Sequence, residues 1–178
     1  ADAVTHLLEQ RDGLILGICN GFQALIKLGL VPYGKITEPS KTAPTLTFNS
    51  LGRHASRLVY TRVTSVKSPW LRGVNAGDVH TIAISHGEGR FVADDAALQA
   101  LIAGGQIATQ YVDSDNAVSG DIQWNPNGSV CSIEGIPSPD GRVLGKMGHD
   151  ERWSKGLFKN VPGHKDQRLF QSGVEYFR

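Results

Sequence analysis

Hydrophobic and polar positions along this chain switch repeatedly between an extended and a helical period. Leu14, Ile15 and Leu16 form a continuous apolar run, as expected of a central parallel strand covered on both faces. A turn follows at once. Beyond it Phe22, Leu25, Ile26 and Gly29 recur at helical spacing, with Gly29 placed to cap the helix end. Ahead of the strand, Val4, Leu7 and Leu8 predict a short amphipathic helix that stops at Gly13. Strand composition returns over residues 58–63, 79–84, 107–112 and 142–146. Asp94 or Asp95 can cap a helix whose apolar face is Ala97, Leu98, Leu101 and Ile102, and Gly104 and Gly105 end it. Turn-rich segments at 125–128 and 137–141 separate short strands, and the strand-like run 130–133 gives Cys131 a structural place. Beyond Trp153 the pattern is mixed. Phe158, Leu169, Phe170 and Phe177 are expected to pack this stretch onto the domain, with Lys159, His164, Lys165 and Arg168 as a solvated face. The whole reads as an α/β sheet with an antiparallel extension.

Composition narrows the class without adding detail. At 178 residues and 40% hydrophobic content, one domain over 1–178 with one core is expected. A formal net charge of +1 gives no reason to expect nucleic acid or an acidic membrane as partner. Two cysteines, Cys19 and Cys131, make a disulfide framework implausible and point to a cytoplasmic protein. No stretch is long and apolar enough to span a bilayer, and no signal peptide is read at the start. His6, His54, His80 and His164 lack the paired spacing of a metal site, so no metal is assigned.

Candidate chemistry begins at Gly17-Ile18-Cys19-Asn20-Gly21-Phe22-Gln23. A strand entering a helix through a cysteine flanked by glycines has the form of a nucleophile elbow, which lifts the side chain above the sheet. The positive end of the following helix favours a thiolate there. A small core cysteine is the ordinary alternative. His149 and Glu151 stand two apart, so an extended segment points both to one side and turns Asp150 outward. A carboxylate beside an imidazole fixes its tautomer, and Cys–His–acid sets recur among covalent catalysts. A surface histidine near a solvated glutamate is the plainer alternative.

Taken together, these residues resemble class I glutamine amidotransferases, in the form used by phosphoribosylformylglycinamidine synthase of purine biosynthesis. Besides the elbow, the likeness rests on Ser85-His86-Gly87-Glu88-Gly89-Arg90, on Asn125-Pro126-Asn127-Gly128-Ser129 followed by Ile133-Glu134-Gly135-Ile136, and on Asp140-Gly141-Arg142-Val143 leading to His149-Asp150-Glu151-Arg152. The resemblance implies a flavodoxin-like open sheet with helices on both faces. It also implies that Cys19 attacks glutamine to give a γ-glutamyl thioester, with His149 as base and Glu151 orienting it. Asn20 would supply an oxyanion N–H, Gln23 would help hold the substrate, and His86 and Gly87 would line the pocket. No cofactor is implied in this domain. ATP and magnesium would belong to a synthetase portion, covalent or separate, that uses the ammonia. Asp150 replaces a proline common in the family, and Leu51 and His54 replace a serine and a phenylalanine, so pocket roles for Asn49, Arg53 and Arg57 do not carry over directly. The strand and helix units that precede the elbow in the family have no counterpart in these residues. The expectation is therefore a domain lacking its first units, weak or inactive alone. A Cys–His–Glu hydrolase or peptidase of the same fold and a non-catalytic interaction module are the competing readings.

Overall fold

A computed structural model describes residues 1–178. Helix α1 (Asp2–Glu9) precedes strand β1 (Ile15–Ile18), which feeds helix α2 (Asn20–Lys27) and the short distorted turn α3 (Leu30–Tyr33). Strands β2 (Thr45–Phe48), β3 (Ala55–Val63), β4 (Val79–His86) and β5 (Glu88–Val92) follow. Helix α4 (Asp95–Ala103), strands β6 (Thr109–Val112), β7 (Ile133–Pro137) and β8 (Val143–Lys146), and helix α5 (Leu169–Glu175) complete the order.

Six strands form one sheet in the order β1-β8-β7-β6-β3-β4. β1 and β8 run parallel, in the register Ile15 to Val143 through Ile18 to Lys146, and every other neighbour in the sheet is antiparallel. The antiparallel part is thus the greater share of a mixed sheet. Strand β8 shows how both faces are covered. Val143 enters the larger core with Phe22, Leu25 and Ile26 of α2, whereas Leu144 enters a second core with Leu71, Ala108 and Leu169 of α5. This alternation follows from the two-residue period of a strand lying between two helical layers. Gly145 opposite makes room for α2, since a Cβ there would stand 2.1 Å from the Phe22 ring. No helix is long and apolar enough to cross a membrane.

The sheet is curled. β1 and β4 lie at its opposite ends, yet the segment after β8 returns to β4 through a bridge between Ala83 and His149. Further along β4, Thr81 N–H donates to His164 O at 2.6 Å. Loop segments therefore cover part of β4's outer edge, which would otherwise offer unpaired backbone groups.

Several expectations are corrected. β1 is an edge strand with half-buried residues rather than a central one, because β8 is its single neighbour. Two strands, β2 and β5, pair with each other and went unpredicted. In β5 a buried glycine, Gly89, occupies one inward position and hides the alternation. Cys131 is exposed in a tight turn at φ 48°, because β7 starts only at Ile133. Asp94 caps α4 by accepting from Ala97 N–H at 2.8 Å, but Ile102 lies outside the buried stripe of Leu98 and Leu101. Of the four hydrophobic residues expected to pack the last stretch, Leu169 alone is buried, and Phe158, Phe170 and Phe177 are exposed. Leu169 is buried because α5 points one stripe at the turn Pro69–Leu71; Phe170 lies off that stripe, and Phe158 and Phe177 lie outside the helix.

Phe22 is fully buried between α2 and β8. Phe22→Ala is expected to lower unfolding free energy by about 3–5 kcal/mol, read from urea denaturation.

Candidate active site

β1 ends at Ile18 and α2 begins at Asn20, so one residue, Cys19, turns the chain. Its backbone lies at φ 53°, ψ −107°. Such a conformation costs a non-glycine residue roughly 1–3 kcal/mol and persists where neighbours enforce it. Here Cys19 N–H donates to Lys146 O at 2.8 Å, and Gln23 N–H donates to Cys19 O at 3.1 Å. Gly17 lets strand and helix close on each other, since a Cβ there would meet Leu25 Cδ1 at 2.5 Å and the Gly21 backbone at 2.7 Å. Gly21 is different. A Cβ there meets nothing within 4 Å, and its φ is not positive. The elbow needs Gly17 for space and places its strain on the cysteine itself.

The Cys19 thiol is half-buried and lies 3.8 Å from Ser85 O on β4. Burial pushes the thiol pKa up, while the Asn20 N–H at the helix start and the charge of Arg152 pull it down and are outweighed. The helix end does favour the thiolate, as expected, but desolvation is the larger effect.

Downstream of β8 the backbone is held at every step. Met147 N–H donates to Glu134 O (3.1 Å) and His149 N–H to Ala83 O (2.8 Å). The chain then tightens into a single 3-10 turn, Asp150–Arg152, and is not extended. The turn still brings Glu151 Oε1 to 2.5 Å from His149 Nδ1. With the carboxylate accepting at Nδ1, the proton sits on that nitrogen and Nε2 is the free acceptor. Nε2 is buried and has no hydrogen-bond partner. Asp150 corrects the expectation of an outward carboxylate. It is 5% exposed, accepts Gln167 N–H at 3.0 Å, and burial raises its pKa against the nearby Lys146 charge. One tight turn rotates inward a side chain that an extended segment would have turned out.

His86 ends β4, 4% exposed, with neither ring nitrogen hydrogen-bonded. Burial lowers its pKa to about 4, opposed by the Glu134 charge. Gly87 accepts Asn49 N–H through its carbonyl at 2.9 Å. Gln23 Nε2 donates to Glu88 O at 2.5 Å, so this amide ties α2 to β5. Asn49 Nδ2 donates to His86 O (2.9 Å), and its Oδ1 accepts Gly89 N–H (3.1 Å). Asn127 Nδ2 donates to Gly89 O (2.6 Å) and to Tyr111 Oη (2.9 Å). These two asparagines grip the 86–89 backbone. Arg57 donates to Ile122 O and Gln123 O and fastens a surface loop. Arg90 Nε reaches Gly128 O at 3.2 Å.

Cys19, Asn20, Gln23, His86, Gly87, His149 and Glu151 therefore gather at one end of the curled sheet, linked through Ser85 O, Ala83 O and Glu88 O of β4 and β5. The sulfur and Nε2 are not hydrogen-bonded to each other. Clefts elsewhere on the surface include one of about 460 Å³ lined by Arg53, His54 and Arg57 and one of about 420 Å³ beside Trp153, Lys159 and His164. No group of three or more His, Cys, Asp or Glu side chains is placed to hold a metal. Sequence reasoning placed Glu134 in a family-like motif and Lys146 in a strand but missed that they form a fully buried ion pair, 3.4 Å apart, next to Gly148. Nothing in Ile133-Glu134-Gly135 or Leu144-Gly145-Lys146 marks either charge as buried.

The chain belongs to the CobB/CobQ-like glutamine amidotransferase domain family, which it matches over residues 1–177. A protein named phosphoribosylformylglycinamidine synthase subunit PurQ from Salinibacter ruber is 38% identical over 160 residues, 90% of this chain and 61% of the relative. The like-named protein of Gloeobacter violaceus is 35% identical over 165 residues, 93% of this chain and 64% of the relative. The solved structure of PurLQS from Thermotoga maritima matches with a TM-score of 0.68 at 29% identity, over 95% of this chain and 64% of that one. The chain spans about three fifths of the length of the curated relatives it matches.

Gly17→Ala is expected to cost about 1–3 kcal/mol by overpacking, whereas Gly21→Ala is expected to be neutral or to add up to about 1 kcal/mol of helix propensity. Thermal unfolding of the two variants side by side checks the contrast. Because the folded pKa of His86 lies at about 4 and the unfolded one at 6.5, the unfolded chain binds the extra proton between those values. The stability that neutral His86 contributes is whole above pH 6.5 and is lost as pH falls toward 4, by about 3 kcal/mol at most. Asp150, with its raised pKa, acts in the opposite sense. His86→Leu is expected to flatten the fall of urea-unfolding free energy in this window, and an equally steep fall in the variant would exclude a buried neutral imidazole.

Proposed function

We propose that this chain is the glutaminase part of a phosphoribosylformylglycinamidine synthase, hydrolysing glutamine to glutamate and ammonia. The observation that carries the reading is the pairing of two features on adjacent parallel strands. Cys19 is held in a strained elbow after β1, and His149, engaged by Glu151 at Nδ1 and free at Nε2, follows β8. The names of the relatives, and the PurLQS neighbour, support the synthase assignment.

Each residue acts as its position allows. Nε2 of His149 takes the Cys19 proton, and the sulfur attacks the carboxamide carbon of glutamine. The tetrahedral oxyanion forms near the Asn20 N–H, the donor already beside the sulfur. Its collapse expels ammonia, which leaves with the proton returned by His149, and a γ-glutamyl thioester remains. Water, deprotonated at Nε2, then cleaves the thioester to glutamate and restores the thiol. Glu151 keeps Nδ1 protonated throughout. Proton transfer begins when the thiol leaves Ser85 O for Nε2, and the raised thiol pKa makes that partner necessary. His86 and Gly87 bound the pocket, and Gln23 shapes it through Glu88. Ammonia passes to a synthetase portion, covalent or separate, where ATP and magnesium drive amination of formylglycinamide ribonucleotide.

Labelling with a glutamine-mimicking electrophile, read by mass spectrometry, tests the assignment. Cys19 is expected to be modified selectively and protected by glutamine, although Cys131 is the more exposed thiol. Cys19→Ala is expected to abolish ammonia release, and His149→Ala to lower it by about 10²-fold or more. Equal labelling of Cys131, or no protection by glutamine, favours a non-catalytic module. Protection by another γ-glutamyl compound or a peptide instead favours a hydrolase of the same fold.

A further inference from the structure

We propose that the buried Glu134–Lys146 ion pair is a positioning device for His149, acting through the backbone N–H and C=O of Gly148; the inference rests on His149 being the base proposed above. Glu134 on β7 and Lys146 on β8 are both inaccessible to solvent, 3.4 Å apart. A pair buried so deeply gives little net stability over apolar side chains of the same volume, so the geometry it imposes is its main effect. That geometry converges on one residue, Gly148, and so on the two peptide groups that flank it. Glu134 Oε1 accepts Gly148 N–H at 2.5 Å, and Lys146 Nζ donates to Gly148 O at 3.1 Å. The second carboxylate oxygen accepts from Thr109 Oγ1, which fixes the carboxylate plane.

The backbone of the neighbouring residues is held in the same place. Met147 N–H donates to Glu134 O, and His149 N–H to Ala83 O. Every N–H from 147 to 149 is thus engaged, and the carbonyl joined to His149 nitrogen is bound by an ammonium. Charge-assisted bonds are the shorter and stiffer ones, so a carboxylate and an ammonium locate the Gly148 backbone more tightly than neutral groups. Gly148 leaves no slack. A Cβ there would stand 2.7 Å from Ile82 Cγ2 and 2.9 Å from Glu134 Oε1. The imidazole of His149 hangs from this clamped backbone, while Glu151 sets only its rotation.

Lys146→Met and the neutral double variant Glu134→Gln/Lys146→Met, made in the full-length protein, test the device with two readouts. Glutamine hydrolysis is expected to fall in kcat by roughly 10–100-fold, the loss that a small misplacement of a catalytic group produces, with KM within about threefold. Amide hydrogen exchange over 147–149 is expected to quicken by about tenfold or more, with the rest of the sheet unchanged. A folded Lys146→Met with wild-type kcat and wild-type exchange overturns the proposal. If that variant does not fold, the double variant decides by the same two readouts. Failure of both to fold also overturns it, because the pair would then hold the fold and not the turn. Faster exchange without loss of kcat, in a protein whose turnover also survives His149→Ala, supports the clamp and overturns only the catalytic reading.

Discussion

The closing of the sheet on itself is the constraint on which the site depends. In a flat six-stranded sheet the outer strands would stand roughly 24 Å apart, five spacings of ~4.8 Å. β1 and β4 are those outer strands, yet the sulfur of Cys19 lies 3.8 Å from Ser85 O and His149 N–H bonds to Ala83 O. Right-handed twist accumulating through the antiparallel pairs supplies the curl. The bond from His149 to Ala83 fastens it where the Cys19 and His149 segments come together.

Around that seam, polar side chains are spent on backbone more than on display. Asn49 and Asn127 hold the His86–Gly89 connection, Gln23 ties α2 to β5, and Glu134 with Lys146 grips Gly148. Each group is buried or partly so, and each satisfies a backbone atom that would be costly to leave alone. Residues that look like pocket lining in a motif therefore act here as its scaffold. Few side chains are left with free valences at this end of the sheet, and His149 Nε2 and both nitrogens of His86 are among them.

Electrostatics sets the resting state. Burial raises the Cys19 pKa more than the Asn20 N–H lowers it, so the sulfur keeps its proton, directed at Ser85 O. The same desolvation keeps His86 neutral. A protonated thiol is the less reactive form toward oxidants and alkylating agents, so desolvation leaves Cys19 quieter than its place at a helix start would suggest.

How much of this was legible in the chain follows from the range of each interaction. The apolar run into Cys19, the helical stripe of Phe22, Leu25 and Ile26, the Asp94 cap and the spacing of His149 and Glu151 are local patterns, and short-range sterics and periodicity express them directly. β5 was illegible because Gly89 occupies an inward position, and Asp150 because one 3-10 turn replaced an extended step. The fate of Phe158, Phe170 and Phe177 was illegible because hydrophobicity does not say whether a partner surface is in reach. By itself, then, the sequence determined which groups could react and the elbow that strains Cys19. The tertiary structure alone decided that strands at opposite ends of a sheet meet, that a carboxylate and an ammonium pair in the interior, and that desolvation outweighs a helix end. Those outcomes depend on atoms distant in the chain, whose burial and proximity exist only once the sheet has curled.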